Sequence, residues 1–200
     1  MAVKIGFPKG VVIPYSRSTI EKIMHMDAKN DCLSFCNTET HCYLLKHRDI
    51  PQLVHDGVID IGVTSSEWVA ESGLENISIQ KHLDWCDTRI SLIGSHAKNE
   101  LVAGVKVVTE FPRITKQFLA GLSIPPSNIY KLSGSTEAMI PNAFLYGVEC
   151  IETGQTLRAN GLVEITEIMN ASVVVITKKD EARNLSVYID QIHNKGSECN

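Results

Sequence analysis

Apolar runs with the spacing of strands alternate along the chain with segments in which apolar residues recur at helical spacing. Ile20, Ile23 and Met24, for example, fall on one face of a helix, whereas residues 58–63 are apolar except for Asp60 and Gly62, a pattern typical of a buried strand. The first half of the chain predicts, in order, these elements: strand 2–7, helix 14–26, strand 42–45, helix 49–55, strand 58–63, a helix capped by Ser65 or Ser66, and strand 90–93.

The alternation restarts after a break at residues 94–104, where polar and small residues interrupt the apolar pattern. The second half predicts strand 105–108, helix 112–120, strand 128–132, strand 148–151, paired strands 162–168 and 172–177, and a closing helix 180–193. This order predicts an α/β fold in two lobes, one of residues 1–94 plus 173–200 and the other of residues 95–172. Two chain crossings between the lobes would leave a central cleft, a common place for small ligands.

Composition narrows the class of protein. The chain of 200 residues is 44% apolar and 21% charged, which is ordinary for a soluble globular protein. A net charge of -4 gives no basic field for nucleic acid, and no run of 18 apolar residues indicates a membrane helix. The N-terminus contains no apolar run typical of a secretion signal, so the six cysteines favour reduced thiols and a cytoplasmic location.

The segment ECIETGQTL at residues 149–157 carries the strongest chemical signal. A Thr-Gly-x-Thr loop between a strand and a helix can bind a phosphate through its backbone N–H groups and its Thr153 and Thr156 hydroxyls, and Gly154 lets the backbone approach closely. Carboxylates beside a phosphate repel it unless they bind hydroxyls or a cation between them. A sugar phosphate explains both features, with Glu149 or Glu152 accepting hydrogen bonds from ribose hydroxyls. A tight turn capped by threonines is the structural alternative.

Residues 147–162, GVECIETGQTLRANGL, resemble the phosphoribosyl-diphosphate loop of ATP phosphoribosyltransferase, the first enzyme of histidine biosynthesis. Further matches follow in the family's order: Phe7-Pro8-Lys9-Gly10, Arg48-Asp49-Ile50-Pro51, Asp60-Ile61-Gly62-Val63-Thr64, Thr88-Arg89 and Leu132-Ser133-Gly134-Ser135-Thr136-Glu137. The length resembles that of the family's short form. The resemblance implies a two-lobed fold like the type II periplasmic binding proteins, a homodimer, and a regulatory subunit related to histidyl-tRNA synthetase.

The resemblance also implies the reaction, in which N1 of ATP displaces pyrophosphate from the anomeric carbon of phosphoribosyl diphosphate. Lys9, Arg48 and Arg89 would be the catalytic cations, and Mg²⁺ would be held by the substrate rather than by a protein metal site. The residues implied to bind phosphoribosyl diphosphate are Glu149, Glu152, Thr153, Gly154, Gln155, Thr156 and Leu157. The residues implied to bind the nucleotide are Lys9, Gly10, Ser135 and Glu137.

Each cation also has a structural interpretation. Lys9 is equally typical of a solvated turn, Arg48 of an ion pair with Asp49, and Arg89 of an ion pair with Asp84 or Asp87. Glu137 stands two residues after Ser135, which is the wrong spacing for a capping box and therefore favours a functional role.

Three departures from the family pattern keep the acceptor open. Val11 and Cys32 stand where the family has arginines on the ATP side, with Arg17 or Lys29 as replacements, and Glu149 stands where it has aspartate. Three functions follow: an ATP phosphoribosyltransferase, a phosphoribosyltransferase with another acceptor, or a non-catalytic module that binds a sugar phosphate or nucleotide.

Overall fold

The computed structural model of the protein describes residues 2–28, 31–95, 101, 104–125 and 128–195. The chain forms two compact units, unit 1 from Met1–Cys86 and Ser172–Asn200 and unit 2 from Asp87–Ala171. The first division lies eight residues before the predicted position because strand β5 (Ile77–Gly94) passes residue 86 without interruption. Most of the predicted break at residues 94–104 lies outside the described residues.

Unit 1 is an α/β layer built on three parallel strands. Strand β1 pairs in parallel with β3 and β4, while β2 and β9 add antiparallel strands in the order β2-β3-β1-β4-β9. Its complete elements are β1 (Val3–Pro8), α1 (Ile13–Met24), β2 (Ser34–Cys36), β3 (Thr40–Leu45), α2 (Ile50–His55), β4 (Ile61–Ser65), α3 (Ser66–Ser72) and α6 (Ser186–Asp190).

The packing of unit 1 explains why the sequences of its strands are mostly apolar. Ile5 and Phe7 of β1 and Ile61 of β4 are completely buried, since helices cover the parallel strands. Helix α2 packs directly on β4 at Gly62, where a Cβ atom would lie 2.6 Å from Ile50 Cγ2. This close packing fixes the short 3-10 helix His47–Asp49, which leads from β3 into α2.

Unit 2 repeats the pattern on a smaller scale in the strand order β5-β8-β6-β7. Strand β6 pairs in parallel with β7 and β8, and β5 pairs antiparallel with β8. Its elements, besides parts of β5 and of β9 (Val163–Lys178), are β6 (Val107–Thr109), α4 (Pro112–Gly121), β7 (Ile129–Lys131), a 3-10 helix Thr136–Met139, β8 (Tyr146–Ile151) and α5 (Gln155–Ala159).

Three local predictions are wrong. The paired strands 162–168 and 172–177 are one continuous strand, β9, and the closing helix 180–193 is reduced to α6. Arg183 explains the second difference, because its guanidinium binds Asp60 and Glu181 and holds the segment before α6 in a non-helical path.

The third wrong prediction is the serine cap of α3. Ser65 occupies the cap position, but its hydroxyl donates to Glu67 Oε1 at 2.5 Å, and Ser66 Oγ accepts from the backbone of Ser172.

Two further observations complete the fold. None of the helices described is both long and apolar enough to cross a membrane. The five cysteines that fall within the described residues are all free thiols.

Candidate active site

The loop between β8 and α5 borders a pocket of about 220 Å³ in unit 2. The structure therefore brings the predicted acidic turn residue Glu137 together with the whole segment 149–157. The lining residues are Glu137, Glu149, Cys150, Ile151, Glu152, Thr153, Gly154, Gln155, Thr156 and Leu157. They include every residue predicted to bind phosphoribosyl diphosphate.

The backbone of this loop has free hydrogen-bond donors. The N–H groups of Thr153, Gly154, Thr156 and Leu157 donate to no acceptor among the described residues, whereas the N–H of Gln155 donates to Thr153 Oγ1 at 3.3 Å. Gly154 has a φ of 70°, a left-handed conformation that glycine adopts without strain. Because α5 has only five residues, its dipole is short, and the amides themselves supply most of the attraction for an anion.

Glu149 is a half-buried carboxylate held from two sides. The hydroxyl of Thr136 donates to Glu149 Oε2, and the backbone N–H of Cys150 donates to Oε1 at 3.1 Å. Burial raises the pKa of Glu149, and the nearby charges of Glu137 and Glu110 raise it further against these two hydrogen bonds. The acid predicted to bind ribose is thus positioned before any substrate arrives.

Glu110 acts on this site through its charge near Glu149, and sequence reasoning missed it. It directly follows β6, which is parallel to β8, so both strands deliver an acid to the same edge of the sheet. In the sequence, Glu110 is visible only as an acid at the end of a strand. The parallel pairing of β6 with β8 is what places it near Glu149.

The turn before the 3-10 helix places Glu137 in the pocket. Gly134 and Ser135 both have a positive φ, 89° and 56°, and they reverse the chain so that Thr136 becomes buried. Ser135 is exposed and does not line the pocket, so the structure separates it from Glu137, with which it was grouped as a nucleotide ligand.

Arg89 is paired with Glu164, not with Asp84 or Asp87. Its Nε and Nη2 atoms donate to the two Glu164 oxygens at 2.7 Å and 2.6 Å, and its Nη1 lies 3.5 Å from the carbonyl oxygen of Glu152. This hydrogen bonding raises the pKa of Arg89 and lowers the pKa of Glu164. Arg89 therefore lies beside the loop between β8 and α5, and the Glu164 carboxylate partly neutralises its charge.

Lys9, Gly10 and Arg48 lie in unit 1, at the carboxyl ends of the adjacent parallel strands β1 and β3. The Lys9 side chain is half-buried and pairs with no acid of the described residues, and Gly10 has a φ of 90°. Arg48 Nε lies 3.8 Å from Asp49 Oδ1 in an exposed contact, which supports the predicted pair but contributes little stability. Lys9 is thus available to an anion.

Unit 1 also buries two polar groups next to these strand ends. Glu67 is 4% exposed, and neither its Oε2 nor His47 Nδ1 has a hydrogen-bond partner among the described residues. Burial raises the pKa of Glu67 and lowers the pKa of His47 to about 4, so the buried surroundings disfavour the charged form of each group. Neither residue stood out in the sequence.

The two positions where the family has arginines carry uncharged residues. Val11 is 72% exposed, and Cys32 is exposed as well. Arg17 Nη1 donates to the carbonyl oxygen of Ala28 at 2.9 Å, so its guanidinium is engaged within unit 1. Lys29, the other replacement, lies outside the described residues.

Solved structures support the fold. The ATP phosphoribosyl transferase (HisG:HisZ) complex from Thermotoga maritima contains a chain that superposes with a TM-score of 0.85 at 20% identity, covering 95% of this chain and 96% of that one. A histidine kinase sensor domain with similarity to periplasmic binding proteins superposes with a TM-score of 0.60 at 12% identity, covering 96% and 88%. The predicted α/β fold of the periplasmic-binding-protein type is therefore confirmed.

Sequence comparison shows the family. An ATP phosphoribosyltransferase of Thermococcus gammatolerans is 33% identical over 161 residues, which cover 74% of this chain and 77% of the relative. An ATP phosphoribosyltransferase of Petrotoga mobilis is 28% identical over 202 residues, covering 96% and 93%. The HisG family model, described as ATP phosphoribosyltransferase, matches residues 46–195, and the chain belongs to this family of transferases.

Proposed function

We propose that the chain transfers the 5-phosphoribosyl group from phosphoribosyl diphosphate to N1 of ATP, the first step of histidine biosynthesis, and that the loop 149–157 binds the donor. The observation that carries the site assignment is a set of four backbone N–H groups around one small pocket that donate to no acceptor in the described part of the chain. A phosphate in this pocket would receive them, since successive free amides form a concave anion site.

The chemistry requires no nucleophile from the protein. The acceptor nitrogen attacks the anomeric carbon, the bond to pyrophosphate breaks, and the electron pair leaves with the pyrophosphate oxygen. The loop would hold the 5-phosphate, while Glu149 would accept hydrogen bonds from ribose hydroxyls, since a carboxylate keeps acceptor sites beyond those used by Thr136 and Cys150. Positioning and charge stabilisation then account for catalysis.

We propose that three cationic side chains, Arg89, Lys9 and Arg48, stabilise the negative charge of the departing pyrophosphate. Arg89 stands beside the carbonyl of Glu152 in the donor loop, and Lys9 and Arg48 stand at strand ends of unit 1. Lys9 and Gly10 are also our choice for nucleotide contacts, with Glu137 as an acceptor for a substrate hydroxyl. Ser135 is the weakest member of this group because it does not line the pocket.

We propose Mg²⁺ as the cofactor, held mainly by the diphosphate of the donor. In the described part of the chain, no three His, Cys, Asp or Glu side chains converge to hold a metal ion. Glu137 and Glu152 offer oxygen ligands at the pocket, and such hard ligands suit Mg²⁺ through its bound waters. When bound, the ion would neutralise charge on the leaving pyrophosphate.

We propose that the enzyme works in the cytoplasm with protein partners. The solved chain that superposes on this one belongs to a HisG:HisZ complex, which supports a HisZ-like regulatory subunit for this chain. A homodimer of the catalytic chain remains our prediction.

A transferase with a different acceptor is the second candidate. Val11 is exposed where the family has a cation, and Arg17 donates to the carbonyl oxygen of Ala28, so the described residues that correspond to the family's ATP side carry less positive charge than the family pattern implies. A non-catalytic module that binds a sugar phosphate or nucleotide is the third, and it predicts binding without turnover.

The decisive experiment incubates the purified chain with ATP, phosphoribosyl diphosphate and Mg²⁺, with and without a HisZ-like subunit. Mass spectrometry then measures phosphoribosyl-ATP and pyrophosphate. Formation of both supports the proposal. Donor binding with no product under either condition, followed by product in a screen of nucleobases and amines, would favour a different acceptor.

A further inference from the structure

We infer that Glu164 is a positioning residue for the donor site, because it fixes the guanidinium of Arg89 with one edge directed to the loop that follows β8. This inference rests on the proposed function, since it concerns how the chain binds phosphoribosyl diphosphate. Glu164 lies near the start of β9, 12 positions after Glu152, and nothing in its sequence context indicates a role.

The geometry of the guanidinium is the first argument. Arginine has five N–H donors in a planar fork, and Glu164 accepts one from Nε and one from Nη2 in a bidentate pair. This arrangement leaves both Nη1 hydrogens and one Nη2 hydrogen for other acceptors. Nη1 donates to the Glu152 carbonyl oxygen at 3.5 Å, so this edge of the guanidinium is directed to the loop.

The support of Glu164 itself is the second argument. The hydroxyl of Ser91, which is completely buried, donates to Glu164 Oε1 at 2.7 Å. The carboxylate therefore receives three hydrogen bonds from two residues of one strand, because Arg89 and Ser91 stand two positions apart on β5. A carboxylate held in this way presents a fixed orientation to its partner.

The location of Arg89 is the third argument. Arg89 is directly opposite Ile151 in the antiparallel pairing of β5 with β8, and Ile151 is the last residue of β8 before the donor loop. The pair of Arg89 and Glu164 is about 30% exposed on both sides, so its contribution to stability is small. We infer that the pair acts instead by setting the direction of the Arg89 N–H groups that face the Glu152 carbonyl in the loop.

The orientation has a consequence for substrate binding. Because Glu164 matches much of the charge of Arg89, the guanidinium attracts a polyanion less through its net charge than through correctly directed N–H groups. A donor oxygen placed between Arg89 and the free amides of the loop would then receive hydrogen bonds from groups that need no rearrangement. Loss of Glu164 would increase the charge of the site and still weaken binding.

The test compares Glu164→Gln with Glu167→Gln. Both substitutions remove one negative charge that acts on Arg89, but Glu167 is exposed and makes no hydrogen bond to the arginine. We expect Glu164→Gln to raise the KM and the Kd of phosphoribosyl diphosphate roughly tenfold, as for loss of a charge-assisted hydrogen bond. The KM of ATP and the melting temperature should stay close to those of the parent chain.

Two additional measurements make the result decisive. Calorimetric titration with phosphoribosyl diphosphate and Mg²⁺ gives donor binding without turnover, and Ser91→Ala, which removes one support of Glu164, should weaken binding about two- to threefold. Equal donor affinities for Glu164→Gln and Glu167→Gln, or tighter binding by Glu164→Gln, would overturn the inference. Donor binding by the parent chain without phosphoribosyl-ATP formation would overturn only the proposed acceptor, and no donor binding would overturn both.

Discussion

The hydroxyl of Thr136, a completely buried side chain, donates a hydrogen bond to the carboxylate of Glu149. The two residues come from different elements, a 3-10 helix and strand β8, which the turn at Gly134 and Ser135 brings together. The bond gives the acid of the donor loop a fixed orientation while its surroundings disfavour its charge. Because burial disfavours the charged form of Glu149, the stability of the fold should depend on pH through this residue.

We expect Glu149→Gln to stabilise the fold at neutral pH. The pKa of Glu149 is raised above its ordinary value of 4.5, so the contribution of this group to stability is complete below pH 4.5 and is lost as the pH rises through the folded pKa. An amide avoids that loss, since its oxygen can accept from the Cys150 N–H and its NH₂ can donate to Thr136. The melting temperature of the variant should therefore match the parent at pH 4 and exceed it at pH 7.5.

Glu152→Gln is the control for this experiment because Glu152 is an exposed carboxylate of the same loop. Its melting temperature should follow that of the parent protein at both pH values. A Glu149→Gln variant that is no more stable than the parent at pH 7.5 would contradict the assigned direction of the pKa shift.

Replacing both threonines of the loop tests the donor site. Thr153→Ala with Thr156→Ala should weaken binding of phosphoribosyl diphosphate by roughly 1–3 kcal/mol, as for hydrogen bonds lost to a charged ligand. Calorimetry with Mg²⁺ measures the effect, and Thr166→Ala, an exposed position on β9, provides the control. Unchanged affinity in the double variant would show that the loop is only a capped turn.

A comparison of two glycine variants distinguishes the effect of backbone strain on stability from the effect of the loop backbone on ligand binding. Gly154→Ala and Gly161→Ala both place a Cβ at a positive φ, 70° and 66°, so each should lose about 1–2 kcal/mol of unfolding free energy. Gly154 lines the pocket and Gly161 does not. Donor affinity should therefore fall in Gly154→Ala alone, and equal affinities in the two variants would argue against close contact between ligand and backbone at Gly154.

Lys9→Ala should reduce turnover much more than stability. The ammonium group pairs with no acid of the described residues, so its removal leaves no buried charge unmatched, whereas a charged donor to pyrophosphate contributes about 1.5–3 kcal/mol. We expect kcat/KM to fall at least tenfold. Lys4→Ala, at an exposed position of strand β1, which ends just before Lys9, is the comparison, and an equal fall in both variants would remove Lys9 from the reaction.

Local sequence patterns predicted most strands and helices because strand and helix periodicities are properties of short segments. They failed where distant partners decide the structure. Strand β9 continues through Asn170, Ala171 and Ser172, which resemble a turn, because its second half pairs with β4 from Ile61 to Ser65. Arg183 likewise keeps residues before α6 out of the helix by binding Asp60, 123 positions away.

The sequence by itself determined the α/β order and the family, and it predicted the loop at residues 149–157 as the donor site, since these depend on contiguous residues. Only the tertiary structure decided which groups act on that loop. Glu110 reaches the surroundings of Glu149 because β6 and β8 are parallel neighbours, and Glu164 pairs with Arg89 across 75 positions of chain. Electrostatic and hydrogen-bond partners depend on distance in space, and that distance is set by strand pairing rather than by sequence spacing.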